Sequence, residues 1–322
     1  MPPSQFQQYQ FRDQYRDLLL PAAQGALPKI AATMRGGVPP NAADVQKRAA
    51  EITEKITKEK LITVNGQPTN QQFVQQEVND AISKLPQEMR QEMANKSLVY
   101  VNPDAFDFFQ PISGPAAPEP YNIFAAQLSL WVQQDVAAAI NECNKGSKNV
   151  IDAPVKRLIK IQVPAMFIKA ADVPTSGDPD AAINKSLAYS PTGRVSNPLY
   201  DVVHFSLQVD VEGAKVNQFL HELSRNRFIN TYNLNYNAVD AAERLGQGFV
   251  YGDKPVVNLQ LDCEALFLRK WTVPLMPPTV KASLGITDQP AAPTEGQPPA
   301  AQPAGEQQTP APAAGATPGN PA

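Results

Sequence analysis

Within Val202 to Val211 the odd positions Val203, Phe205, Leu207, Val209 and Val211 are apolar, and the even positions from His204 on, His204, Ser206, Gln208 and Asp210, are polar. Successive side chains of a strand point to opposite faces, so this period of two predicts a strand with one buried and one solvated face. Val256 to Leu266 repeats the pattern, with Val257, Leu259, Leu261, Cys263 and Ala265 set against Asn258, Gln260, Asp262 and Glu264. Shorter strands are predicted near Lys156 to Val163 and at Phe228 to Tyr236. Between the strands the period changes: Val216, Phe219, Leu220 and Leu223 mark a helix within Ala214 to Asn226, and a short helix follows around Val239 to Leu245 until Gly246 and Gly248 break it.

The broadest helical stripe lies at Tyr121 to Asn144, where Phe124, Leu128, Trp131, Val132, Val136, Ala139, Ile140 and Cys143 share one side. Lys145 suits the negative end of the helix dipole, Gly146 supplies the stop, and the stripe is expected to pack on the sheet. Upstream, Ser4 to Leu20 reads as a helix stopped by Pro21, and a weaker segment runs to Met34 before Gly36, Gly37, Pro39 and Pro40 end it. From Ala42 to about Lys60, Val45, Ala49, Ile52 and Ile56 form a narrow seam on a charged helix. A further helix, Asn70 to Leu85, carries Val74, Val78, Ala81, Ile82 and Leu85. The two seams pair either as an intramolecular αα-hairpin or as a coiled-coil arm that docks a partner. The hairpin is favoured, because only about two heptads are sustained.

With Leu98 to Val101 as a first strand, the order becomes βαββαβ plus one strand. The expected class is α+β, a ferredoxin-like antiparallel sheet domain with helices on one face and a polar face left free. The expected boundaries are a helical region at 1–95, the sheet domain at 96–286 and a tail at 287–322. From Asp288 onward Val, Ile, Leu, aromatics, Lys and Arg are absent while Pro, Ala, Gly, Gln and Thr recur, a composition that cannot offset its ordering entropy.

A net charge of −3 and a pI near 5.5 give no positive field for nucleic acid. No run approaches the length of a membrane span, and Met1 to Arg12 lacks the charge and apolar core of a signal peptide. The expected location is cytoplasmic, or the periplasmic side of a membrane if an anchor lies upstream. Cys143 and Cys263 lack metal-site spacing, and Cys263 reads as a small buried hydrophobe. His204 falls on the solvated side of a strand and His221 on a helix. Neither a zinc-protease motif, a nucleophile elbow nor a phosphate loop is present, so no catalytic residue, cofactor or metal ligand is assigned. In the loop Tyr189 to Asp201, Arg194, Asn197 and Tyr200 are candidate partner contacts, since Arg and Tyr anchor protein interfaces. The alternative has Tyr200 packed at the strand edge and Arg194 solvated. Trp271, Pro274, Met276, Pro277 and Pro278 form either a docking patch or a chain end folded over the core.

The unit Val202 to Leu266, with Val209, Asp210, Val211, Glu212 and Gly213 leading into Phe219, Leu220 and Leu223, resembles the second half of the periplasmic domain of type IV pilus alignment proteins of the PilO kind and related type II secretion components. That resemblance implies a ferredoxin-like domain behind a helical stalk, dimerisation and no catalysis. Trp131 to Ile140, Thr192 to Val203 and Trp271 to Met276 are similar to uncharacterised bacterial proteins of planctomycete type. Three functions are expected in descending order. The first is a non-catalytic assembly protein of an envelope complex, with protein partners as a homo- or hetero-dimer. The second is a ligand-binding module using the sheet face at His204 and Gln208, and the third an enzyme without a local motif.

Overall fold

The computed structural model describes residues 26–64, 67–106, 120–163, 192–225 and 227–286. In chain order the elements are α1 (Ala26–Thr33), β1 (Gly36–Gly37), α2 (Ala42–Lys60), β2 (Thr63–Val64), β3 (Gln67–Pro68), α3 (Gln71–Lys96), β4 (Val99–Val101), α4 (Pro120–Cys143), β5 (Val155–Gln162), β6 (Tyr200–Glu212), α5 (Val216–Ser224), β7 (Ile229–Ala238), α6 (Ala241–Gly246), β8 (Val256–Leu268), α7 (Arg269–Thr272) and α8 (Pro278–Ser283). The predicted tail, the helix at Ser4 to Leu20 and Tyr189 lie outside the described residues.

The two alternating stretches are neighbours. β6 and β8 pair antiparallel from Tyr200 opposite Leu268 to Glu212 opposite Val256, with no register shift. Their apolar positions therefore fall on one face as cross-strand pairs: Val203 with Ala265, Phe205 with Cys263, Leu207 with Leu261, and Val209 with Leu259. Against this face pack the α4 stripe, Phe219 and Leu223 of α5, Ile30 of α1 and Met34 just after it, in one core. Burying each large apolar side chain there contributes roughly 1.5–3 kcal/mol.

The sheet has six strands in the order β1-β4-β5-β6-β8-β7. It is mixed, with β1–β4 and β4–β5 parallel and the remaining pairs antiparallel. The class is α+β, but the expected antiparallel βαββαβ order does not describe the whole sheet. β6, α5 and β7 do form a split unit with β8 between the two strands. β4 instead lies directly beside β5, joined to it by the crossover helix α4, so nothing is inserted in that half.

β1 was expected only as a helix stop. It is a strand because glycine permits a backbone approach closed to other residues: a Cβ on Gly37 would lie 1.9 Å from Ser97 Oγ. α2 begins with a capping box between Asn41 and Asp44. It packs against α3, where Val74, Val78 and Leu85 are buried. Asn70 ties the connection, its side chain accepting from Ile62 N–H at 2.8 Å and donating to Lys60 C=O at 2.7 Å. α3 runs beyond the expected end at Leu85. Pro86 removes one donor from the ladder, and burial of Leu85 before it and Ala94 after it carries the helix on.

Cys143 and Cys263 are free and buried, and burial pushes both thiols up to about 12. The thiolate is the reactive form. An aromatic disulfide reagent at about pH 8 is therefore expected to label neither cysteine in the native protein and both after denaturation; native labelling would contradict this packing.

Candidate functional site

The sheet face opposite α4 and α5 divides into a covered half and an open half. It had been expected to stay free throughout. Gly248 and Gly252, at φ of 98° and 79°, turn the chain after α6 back over the sheet. Phe249 meets Tyr100 edge-on at 5.2 Å between ring centres, and Tyr251 joins them. The Arg157 guanidinium lies 3.8 Å over the Phe249 ring, while its Nε donates to Asn102 at 2.8 Å. Beneath this lid Asp210, fully buried, accepts from Tyr251 Oη at 2.6 Å and Asn258 Nδ2 at 2.7 Å. Lys156 is buried as well, and Nζ donates to the carbonyls of Ile151 and Val150 at 2.6 and 3.1 Å. Burial pulls this ammonium down to about 8, against the pull of Glu212. Asp210 and Lys156 are thus satisfied internally and act as fasteners.

The open half contains a recess of about 310 Å³ lined by Lys160, Gln162, Ser206, Gln208, Gln260 and Asp262, among others. Its amides present donors and acceptors together, with one cation and one anion. Gln208 donates to Asn258 at 3.0 Å, and Asn233 donates to Asp262 at 2.8 Å.

Beyond the recess, Glu264 is fully buried and collects three donors: Thr192 Oγ1 at 2.7 Å, Asn230 Nδ2 at 3.2 Å, and Arg194 in an ion pair. His204 sits opposite Glu264 in register, its ring edge-on to Tyr232 at 5.8 Å. It is half-buried, not solvated as its strand position predicted, because the irregular register at Thr231 to Asn233 brings Tyr232 over it. Its Nε2 is buried with no hydrogen-bond partner. Burial lowers its pKa, opposed by the charge of Glu264.

Arg194, Asn197 and Tyr200 come together in the turn that enters β6, and two of them have internal duties. Arg194 pairs with Glu264. Asn197 Oδ1 accepts from the N–H groups of Leu199 and Tyr200, closing an Asx turn. Val45, Ala49, Ile52 and Ile56 lie half-buried in the α2–α3 hairpin. At the end of the sheet beside Tyr200, Asp201 accepts from Arg269 Nε and Nη2 at 3.0 and 2.8 Å. Around this fastening Leu199, Phe228, Trp271 and Leu275 are exposed, with Phe228 and Trp271 ring centres 6.4 Å apart. Met276 and Val280, by contrast, fold back into the core. Alternation marked Phe228 only as the start of a strand. It is exposed and sits at a φ of 41°, and sequence periodicity reports neither.

Among the described residues, no group of three His, Cys, Asp or Glu side chains could hold a metal ion, and no helix is long and apolar enough to cross a membrane. No known protein family matches the chain, and no curated protein matches it in sequence. Among solved structures, a protein from Akkermansia muciniphila is similar at 8% identity and a TM-score of 0.30, covering 82% of this chain and 94% of its own. A second, from the same organism and solved without its transmembrane region, is similar at 9% identity and a TM-score of 0.30, covering 76% and 96%.

The environment of His204 has a signed consequence. A folded-state pKa below the ordinary value of about 6.5 means that the unfolded chain takes up the proton first as pH falls. The stability that depends on neutral His204 is therefore present above about pH 6.5 and lost below it. Denaturant midpoints at about pH 7.5 and 5.5 are expected to differ less in His204→Gln than in the parent protein; an equal difference would place the titration elsewhere.

Proposed function

We propose that this chain is a non-catalytic assembly protein of an envelope-associated complex, of the pilus or secretion type, which holds partner proteins through its sheet domain. The observation that carries this reading is the apolar end of the sheet. Phe228 adopts a left-handed backbone conformation that costs a non-glycine residue roughly 1–2 kcal/mol, and its side chain is nevertheless turned toward solvent beside Trp271, which is 60% exposed. Backbone strain that presents an aromatic pair to water is spent on contact rather than on the core. The Asp201–Arg269 pair beneath holds the strand ends rigidly, so a partner would meet an ordered surface. The resemblance of Val202 to Leu266 to pilus alignment proteins supports the same class.

A photo-crosslinking residue at Trp271, expressed in the native host, is expected to yield one discrete protein adduct. The same residue at Lys145, exposed in the turn just after α4, is expected to yield none. Absence of a discrete adduct at Trp271 would remove the reading's main support.

A second reading, a ligand-binding module, rests on the recess at Gln208 and Gln260. Its amide-rich lining suits a neutral, polyhydroxylated ligand such as a glycan. A glycan fragment screen would then raise the melting temperature of the parent and not of Gln260→Ala; no shift in either would dismiss it.

A further inference from the structure

The two edges of the sheet are unlike. β1 closes one side with two residues, Gly36 and Gly37, too short to template another strand. β7 closes the other with ten residues, Ile229–Ala238, of sequence INTYNLNYNA. Natural proteins guard long edges with charges, proline or brevity. This strand has no charged residue and no proline, and its one irregularity lies between Thr231 and Asn233, leaving the run after it regular.

The free hydrogen-bonding groups can be assigned. Val239 N–H bonds to Val256 C=O at 3.0 Å. Antiparallel pairing alternates residues that bond to the neighbour with residues that bond outward, so Asn237, Asn235 and Asn233 face β8 with their main chains. Leu234, Tyr236 and Ala238 direct N–H and C=O groups away from the sheet, and no hydrogen bond to these groups occurs among the described residues. Side chains alternate as well. Asn233, Asn235 and Asn237 register with Asp262, Gln260 and Asn258 on the polar face, while Leu234 and Tyr236 register with Leu261 and Leu259 on the apolar one. Tyr236 is 67% exposed.

We infer that β7 pairs antiparallel with β7 of a second copy of this chain about a two-fold axis at Asn235, joining the two sheets into one. The occupant follows from the composition of the strand. An edge with no charge offers nothing for a foreign partner to complement and nothing to repel its own copy. An axis at Asn235 sets Asn235 opposite itself and Asn233 opposite Asn237, so every polar-face pair is amide to amide, and an amide carries both a donor and an acceptor. On the other face Leu234 meets Tyr236, an aromatic–aliphatic pair. The same register lets the outward groups of Leu234 and Tyr236 bond to one another, about four main-chain hydrogen bonds in all. The span is short compared with a stable interface of ~1,200–2,000 Å², so the dimer is a concentration-dependent one. This inference names a partner for the assembly reading and rests on it.

Sedimentation velocity on the full chain from about 1 μM to 1 mM tests it, with two variants. The parent is expected to move from monomer to dimer. Tyr236→Lys sets a cation beside the axis at an already exposed position, and is expected to raise the dissociation constant about tenfold or more without changing the melting temperature at the dilute, monomeric end of that range. Asn235→Cys is expected to form a disulfide-linked dimer under mild oxidation, because the two native thiols are buried and the new one faces its own copy. A parent that stays monomeric throughout, or a dimer that tolerates Tyr236→Lys and leaves Asn235→Cys unlinked, would overturn the inference. The adduct at Trp271 is independent of both variants: if it forms on a monomeric chain, the edge pairing fails and the assembly reading stands.

Discussion

The unbroken pairing of β6 with β8 is the constraint on which the rest of this molecule depends. Thirteen residues of each strand are matched without a shift. A slip by one residue would carry every apolar side chain of a strand to the opposite face. The ladder is pinned at both ends. At one, the buried carboxylate of Asp201, near the start of β6, is held by Arg269, the residue that follows the end of β8. Burial raises the pKa of that carboxyl despite the arginine, so removing Arg269 would leave a charge whose burial costs about 3–5 kcal/mol. At the other, Gly213 N–H bonds to Pro255 C=O at 2.9 Å and Lys254 reaches Glu212 at 3.0 Å.

From this pairing the two faces acquire different fates. The apolar face takes α4, α5 and α1 and becomes the core. The polar face is fastened at one end by the Asp210, Tyr251 and Asn258 network and left open at the middle, where Gln208 and Gln260 line a recess. Placing β8 between β6 and β7 also makes β7 an outer strand, and the turn before β7 exposes Phe228 next to Trp271. The exposed aromatic pair and the uncharged outer strand thus arise at the periphery as consequences of how the centre is arranged.

Much of this was legible in the sequence wherever a local period encodes a face. The strands β6 and β8, the α4 stripe and the seam of α2 all follow from spacing alone. What escaped depends on contacts between distant residues. Gly36 and Gly37 carry a stop signal locally, and only the approach of Ser97 turns them into a strand. His204 occupies a polar position in an alternating run, and its burial comes from Tyr232 and Glu264 on other strands. Half of the polar face is covered by Phe249 and Tyr251, residues that lie between two glycines, Gly248 and Gly252, whose turn looks like any other in sequence. Of the candidate contacts, Arg194 and Asn197 were singled out for chemistry that partners use, and inside the fold the same chemistry builds the entry to β6. The uncharged edge was written plainly in Ile229 to Ala238, but its meaning required knowing that the strand lies outermost.

Residue-resolved hydrogen exchange at high and low protein concentration bears most directly on the claim that this molecule works through its sheet edge. Amides of Val203, Leu207 and Leu261 are expected to exchange only through global unfolding at either concentration. The outward amides of Leu234 and Tyr236 are expected to be slow at high concentration and fast on dilution. If those two exchange at the rate of an open edge at every concentration, β7 has no partner and the account of this molecule as a self-pairing assembly protein is contradicted.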